Sequence, residues 1–372
     1  MKKMALFIPR DAGFLSVLNW YVSVRCLNEK VYPFVHREVL ELVNKRCNHF
    51  CYYDTNVENS WFLFFEPTDY THKTIDLQTV LHHVRNNRYT QGWEGRKELM
   101  FFPIADRFRK SNQVQFQKWR NEINALFRRN IRYSVLVTET IAKKERAFTH
   151  VANVPNMRSF VGVHYRNPSH CKEQGIVHFK DYFKCIDTIL EKHPSQRIFL
   201  ATDTELGVAV FKNRYGSRLI YDTDVHRTSA DDFLDWCFAR SSHETDGEGL
   251  VGGKGYDAHA KLAQNHDNEL GKDMGVEVLV DAELLSRCSH FVHTVSNMTI
   301  AVSYLNPDVI LIPVKEDCVS ECPDKISDES AKQPVSKTTS ELSAYQDMVD
   351  SLASTRSGLQ FQTDEITELR IQ

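Results

Sequence analysis

The sequence predicts an α/β protein with parallel sheets, and three observations carry that expectation. Short apolar runs at 4–8, 31–35, 159–165, 197–202, 218–222, 289–294 and 308–313 have strand character. Stretches with apolar positions at helical spacing separate most of them, the alternation expected of parallel βα units. Polar side chains gather where two of these strands end, in FVGVHYR (160–166) and HFVHTVSN (290–297). That is the edge at which an open α/β sheet builds a ligand site.

Taken in order, residues 4–8 read as a strand, Pro9-Arg10-Asp11-Ala12-Gly13 as a loop, Leu15 to Leu27 as a helix and Val31 to Val35 as a strand. This is a βαβ opening. Residues 49–110 read as irregular and aromatic-rich, a substrate-facing or lid segment. Gln113 to Phe148 contains no Pro or Gly and reads as two helices. After a loop at Asn153–Met157 a second unit follows: strand Ser159–Tyr165, helix His178–Lys192, strand Arg197–Thr202, helix Glu205–Tyr215 and strand Arg218–Asp222. Residues 223–272 read as loops around a short helix, then come helix 275–287, strand 289–294, helix 297–304 and strand 308–313. From Lys315 the chain turns to Ser, Glu, Asp, Lys and Thr, a tail expected to be disordered or loosely helical. The expected organisation is an N-terminal domain over 1–155, a second over 156–315 and the tail over 316–372.

With 372 residues, 42% of them hydrophobic, and 22 Phe, 14 Tyr and 5 Trp, the chain can bury a sizeable core. A formal charge of −3 gives no electrostatic case for a nucleic-acid surface. The nine cysteines are scattered without a framework, which suggests reduced thiols and a cytoplasmic location. Cys47, His49 and Cys51 lack the further ligand that would complete a zinc clip, so no metal is expected there. No run of about 18 apolar residues suggests a membrane span. Asn297-Met298-Thr299 matches a glycosylation sequon but falls at a strand-to-helix junction and reads as a chance match.

Alternation along the strand at 160–166 puts His164 and Arg166 on one face and Tyr165 on the other. Arginine there suits a diphosphate, because its planar fork makes bidentate charge-assisted hydrogen bonds. A structural ion pair and a packed histidine fit the same positions. Ser296 and Asn297 open a helix, where either serves as an ordinary N-cap, but the same helix end favours a phosphate. Asp222-Thr223-Asp224 matches the DxD pattern that many sugar transferases use to hold a divalent metal, and also reads as a turn after a strand. Gly247–Gly255 fails the phosphate-loop spacing, and no GxSxG elbow is present.

GVHYR (162–166), ATDT (201–204) and VEVLVDAELLSRCSHFVHTVSN (276–297), taken in order, resemble the three motifs of the fucosyltransferase superfamily, which includes α1,6-fucosyltransferases, nodulation fucosyltransferases and, more distantly, protein O-fucosyltransferases. The resemblance covers about residues 5–35 and 155–315. It implies a GT-B fold, two facing Rossmann-like domains with the donor nucleotide held mainly by the C-terminal one. It also implies an inverting, metal-independent glycosyltransferase that moves fucose from GDP-fucose, or a related GDP-sugar, onto a glycan or protein hydroxyl, with no cofactor beyond the donor substrate.

By position, the resemblance implies that Arg166 binds the donor diphosphate and neutralises the leaving group. His164 and Asp281 would face the guanine, Ser296 a phosphate oxygen. Gly13 would let the N-terminal loop approach the donor, Asn19 would support that loop, and Arg227 would be a second cation. The run Asn167–Glu173 departs from the family's Thr-Asp-Lys pattern, which leaves Glu173 and His170 as the candidates for the general base. That departure keeps a reading from another class open, a non-catalytic relative that binds sugar nucleotides or glycans. Neither nucleic acid nor membrane is an expected partner.

Overall fold

The computed structural model describes residues 5–9, 12–27, 30–43, 52–67, 75–90, 113–166, 177, 179–228 and 270–314. Its N-terminal part begins with β1 (Ala5–Phe7), α1 (Phe14–Leu27) and β2 (Val31–Pro33). β1 and β2 pair in parallel, and Thr90 extends the edge by exchanging backbone hydrogen bonds with Leu6 and Ile8. Helices α2 (Arg37–Val43), α3 (Trp61–Phe64) and α4 (Leu77–Arg85) follow, then α5 (Gln113–Asn130) and α6 (Val135–Ala152).

The C-terminal part alternates as expected: β3 (Phe160–Tyr165), α7 (Phe179–Lys192), β4 (Arg197–Thr202), α8 (Glu205–Tyr215), β5 (Leu219–Tyr221), α9 (Gly271–Arg287), β6 (His290–His293), α10 (Asn297–Leu305) and β7 (Ile310–Pro313). All five strands run parallel in the order β5-β4-β3-β6-β7. The chain therefore lays β4 and β5 to one side of β3 and then crosses over to lay β6 and β7 on the other. This reversal makes the β3/β6 boundary the switch point, where the connections diverge and leave a crevice beyond the strand ends.

Strand alternation sorts β3 onto two cores. Val161, Val163 and Tyr165 pack with α7 and α8, where the Tyr165 ring stacks on Phe179 at 4.5 Å. Phe160 and Gly162 face α9, and a Cβ on Gly162 would meet Cys288 Sγ and Leu285 Cδ2 at 3.0 Å. The second core is larger and continuous from β1 through α1, α5 and α6 to α9 and α10, so hydrophobic packing runs across residue 155 without a seam.

Four helices differ from the sequence reading. α9 starts at Gly271, four residues before the expected 275, because its polar first turn (Gly271, Lys272, Asp273) hides the helical period. Segment 37–43 is helical although no helix was expected there; His36 Nδ1 accepts from the Glu38 amide at 3.3 Å at its start. Helices α3 and α4 occupy part of the stretch read as irregular. The candidate base residues Glu173 and His170, the Cys47–Cys51 clip and the C-terminal tail lie outside the described residues.

Candidate functional site

The β3/β6 switch point brings His164, Arg166, His293, Thr294 and Ser296 to one edge of the sheet. β3 delivers the first two because its apolar run stops at Val163 and the next positions on the α9 side are polar. The His164 carbonyl accepts from Tyr182 Oη at 3.1 Å, while the His164 Nδ1 is buried and has no hydrogen-bond partner among the described residues. Burial, with the nearby Arg166 and His293 as smaller causes, lowers the His164 pKa to about 3. Burial likewise takes His293 down to about 4, opposed by the bond between its Nδ1 and the Thr294 carbonyl (3.1 Å). Two neutral imidazoles thus sit beside a half-buried arginine.

α10 aims its N-terminus at the same edge. Ser296 is its N-cap, with Oγ accepting from the Thr299 amide at 3.2 Å and lying 3.1 Å from Thr299 Oγ1. Thr299 Oγ1 in turn donates to the Thr294 carbonyl at 2.6 Å. The helix is held at both ends by the N-terminal part of the chain. Asn19 of α1 donates to the Asn297 carbonyl at 3.1 Å and accepts from Tyr304 Oη at 3.0 Å. At the far end one face of α5 supplies donors at helical spacing. Gln117 reaches the Pro307 carbonyl, Arg120 those of Ser303, Asn306 and Val309, Asn124 those of Tyr304 and Leu305, and Arg128 that of Leu305. Burial lowers the Arg120 pKa to about 10, so the guanidinium stays charged and complements the negative helix end.

Gly13 immediately precedes α1, and a Cβ placed on it would meet nothing within 4 Å. This position therefore opens on free space, in contrast to Gly275, where a Cβ would come within 2.5 Å of the Phe64 ring.

The β4/β5 edge is built differently. Arg227, with only 3% of its side chain exposed, donates to the backbone carbonyls of Thr202 (3.2 Å), Val225 (3.3 Å) and Asp222 (2.5 Å). It is thus engaged in holding the 222–228 loop. Lys144 of α6 reaches Asp222 Oδ1 at 2.7 Å and Asp224 Oδ2 at 2.5 Å. His226 Nδ1 lies 2.6 Å from Glu277 Oε1 of α9. Asp281, one helical turn beyond Glu277, is half-buried and makes no hydrogen bond or ion pair among the described residues. Burial raises its pKa to about 8; Asp222 and Glu277 push the same way, whereas Arg227 and Lys144 oppose.

Of the residues singled out by sequence, the structure gathers His164, Arg166 and Ser296 at the switch point, with Asn19 fastened to the helix that Ser296 caps. Asp281 belongs to the β4/β5 side, among Asp222, Arg227, Glu277 and Lys144. His293 and the α5 donors Gln117, Arg120 and Asn124 are not singled out by the sequence. The basic pairs Arg128-Arg129 and Lys143-Lys144 read there as solvated helix faces, which Lys144, 16% exposed and paired with Asp222, does not bear out. Lys144 lies 78 residues from its partner Asp222, and no local pattern announces such a pairing. The α5 donors do leave a trace, since Gln117, Arg120, Asn124 and Arg128 form a polar stripe at helical spacing. Among the described residues, no group of three or more His, Cys, Asp and Glu side chains is placed to hold a metal ion. No described helix is long and apolar enough to cross a membrane.

No protein-family model matches the chain, and no curated protein does. Among solved structures it is similar to fucosyltransferase NodZ from Bradyrhizobium, with 14% identity and a TM-score of 0.43 over 82% of this chain and 94% of that one. It has the same identity and coverage with NodZ α-1,6-fucosyltransferase soaked with GDP-fucose, at a TM-score of 0.43, and co-crystallized with GDP, at 0.41. Likeness of this degree assigns no residue its role.

Proposed function

We propose that the chain is a glycosyltransferase that binds a GDP-sugar at the β3/β6 switch point, most simply GDP-fucose, and transfers the sugar to an acceptor hydroxyl. The observation that carries this reading is the meeting of Arg166 and the α10 N-terminus at one crevice. A planar cation and a positive helix end are the two devices by which a protein holds a diphosphate without a metal.

In this reading Arg166 pairs with the diphosphate, and the helix end above Ser296 faces its remaining oxygens. Because Ser296 Oγ already caps α10, the helix amides and dipole contribute there beside the hydroxyl. Asp281 accepts from the N–H donors of guanine, and His164 Nδ1 offers a further polar contact. Gly13 leaves room for the donor against α1. Arg227 acts through the 222–228 loop it holds.

The acceptor oxygen attacks the anomeric carbon as the bond to the β-phosphate oxygen breaks, which inverts the configuration. The acceptor proton passes to Glu173 or His170, and GDP leaves with its negative charge neutralised by Arg166 and α10. No divalent metal takes part in this scheme. Free thiols at Cys26, Cys185 and Cys288 support placing the protein in a reducing compartment, the cytoplasm.

Calorimetric titration with GDP, UDP, CDP and ADP in the presence of EDTA tests the reading. Selective GDP binding is expected, and Arg166→Ala should weaken it by about 2–4 kcal/mol. Failure of every nucleotide to bind would end the proposal. Binding without donor hydrolysis or transfer would move the chain to the non-catalytic alternative that the altered 167–173 run keeps open.

A further inference from the structure

We infer that Lys144 is a built-in counterion, a positioning residue whose ammonium stands between the Asp222 and Asp224 carboxylates and orders the 222–228 loop beside Asp281. This goes beyond the nucleotide reading and rests on it only for the part of the test that uses GDP.

The sequence Asp222-Thr223-Asp224 has the spacing with which two carboxylates hold a divalent ion, yet in the fold a lysine occupies that position. Lys144 Nζ is 2.7 Å from Asp222 Oδ1 and 2.5 Å from Asp224 Oδ2. The two arms differ. Lys144 and Asp222 have 16% and 8% of their side chains exposed, so their attraction acts away from bulk water. Asp224 is 77% exposed and its arm is screened. Asp222 Oδ1 also accepts from the Asp224 amide at 3.0 Å, so the carboxylate that Lys144 fixes is the one that shapes the turn.

From that turn the loop runs to two other anchors. His226 meets Glu277 on α9 through both its ring and its amide. Arg227 returns to Thr202 on β4, and Thr228 exchanges backbone hydrogen bonds with Asp203 and Glu205. Lys144 is the anchor on α6, the last long helix before β3. Removing its charge would leave Asp222 buried near Asp281 and Glu277 with its direct cation gone, since Arg227 meets Asp222 through the backbone carbonyl. The Asp222 and Glu277 carboxylates so placed repel, and the turn is the part that yields.

Hydrogen exchange across 222–228 in wild type, Lys144→Ala and Lys144→Arg tests this, together with GDP titration. Lys144→Ala should raise the exchange of these amides by about tenfold or more while β3 and α10 keep their protection. Lys144→Arg, or millimolar Mg2+ added to Lys144→Ala, should restore the protection, a response to charge that lost packing would not show. Where wild type binds GDP, Lys144→Ala should bind it about tenfold more weakly. Unchanged loop exchange in Lys144→Ala, opening that neither cation reverses, or unaltered GDP affinity in that variant would each overturn the inference. If wild type binds no GDP, the nucleotide reading fails on its own and the exchange experiment still decides the role of Lys144.

Discussion

The two sides of the C-terminal sheet edge solve the problem of buried polarity in opposite ways. At β4/β5 the charges answer one another: Arg227 is used by three carbonyls, Lys144 by two carboxylates, His226 by Glu277. At β3/β6 two imidazoles are kept neutral beside Arg166 instead, and His164 Nδ1 is buried without a hydrogen-bond partner among the described residues. A self-satisfied edge behaves as scaffold. An edge that leaves a polar atom unanswered carries a standing desolvation cost that a ligand can relieve. Asp281 is the exception on the β4/β5 side, a carboxyl that makes no hydrogen bond or ion pair among the described residues, and in the proposed reading it is what that side contributes to the ligand.

The largest expected effect tests the scaffold side. Arg227→Ala should lower the unfolding free energy by about 3 kcal/mol, because it strands buried carbonyls. Urea denaturation of the variant measures the loss. A change of less than about 1 kcal/mol would remove Arg227 from the scaffold of this edge.

Titration offers the next contrast, because the two edges bend the pH–stability profile in opposite directions. His164 and His293 have folded pKa values of about 3 and 4 against an ordinary 6.5. Their unfolded forms take up protons first as pH falls, so stability is intact above about 6.5 and is lost toward pH 4, by up to about 1.4 kcal/mol per pH unit for each histidine. Asp281 runs the other way. Its folded pKa is about 8 and its ordinary value 3.8, so stability is intact below about 4 and is lost as pH rises toward 8. Melting temperatures from pH 5 to 8 should therefore show His293→Asn flattening the acid limb and Asp281→Asn raising the limb near pH 8. Profiles parallel to wild type in both variants would show that neither edge carries these terms.

The smallest effect is expected at Gly13, whose missing side chain faces open space. Gly13→Ala should leave stability within about 0.5 kcal/mol of wild type and still reduce GDP affinity in a titration. A loss of stability without a loss of affinity would assign the glycine to packing.

Local patterns carried much of the architecture. Arg197–Thr202 and Glu205–Tyr215 were legible to the residue, because an apolar strand run ends in Thr202 and Thr204 caps the helix through the Gly207 amide at 2.9 Å. Period-two alternation placed Tyr165 opposite His164, as found. The early start of α9 escaped because its first turn is polar. In the candidate site, the sequence pointed to strand-end residues but not to what holds them. The bond between Asn19 and Asn297 spans 278 residues, and the engagement of Arg227 with three carbonyls depends on a loop shape that composition does not encode. Side-chain commitments of this kind are settled by tertiary packing, after local propensity has had its say.

The clamp on α10 also bears on modularity. Its leading end is tied to α1 by Asn19, and its trailing carbonyls are tied to α5 by Gln117, Arg120, Asn124 and Arg128. A fragment beginning near residue 156 would carry every strand of the larger sheet and still lack the partners of its central helix. The two halves are thus poor candidates for independent expression or for shuffling into chimaeras, and good ones for complementation, in which a separately made N-terminal piece restores order to the C-terminal one.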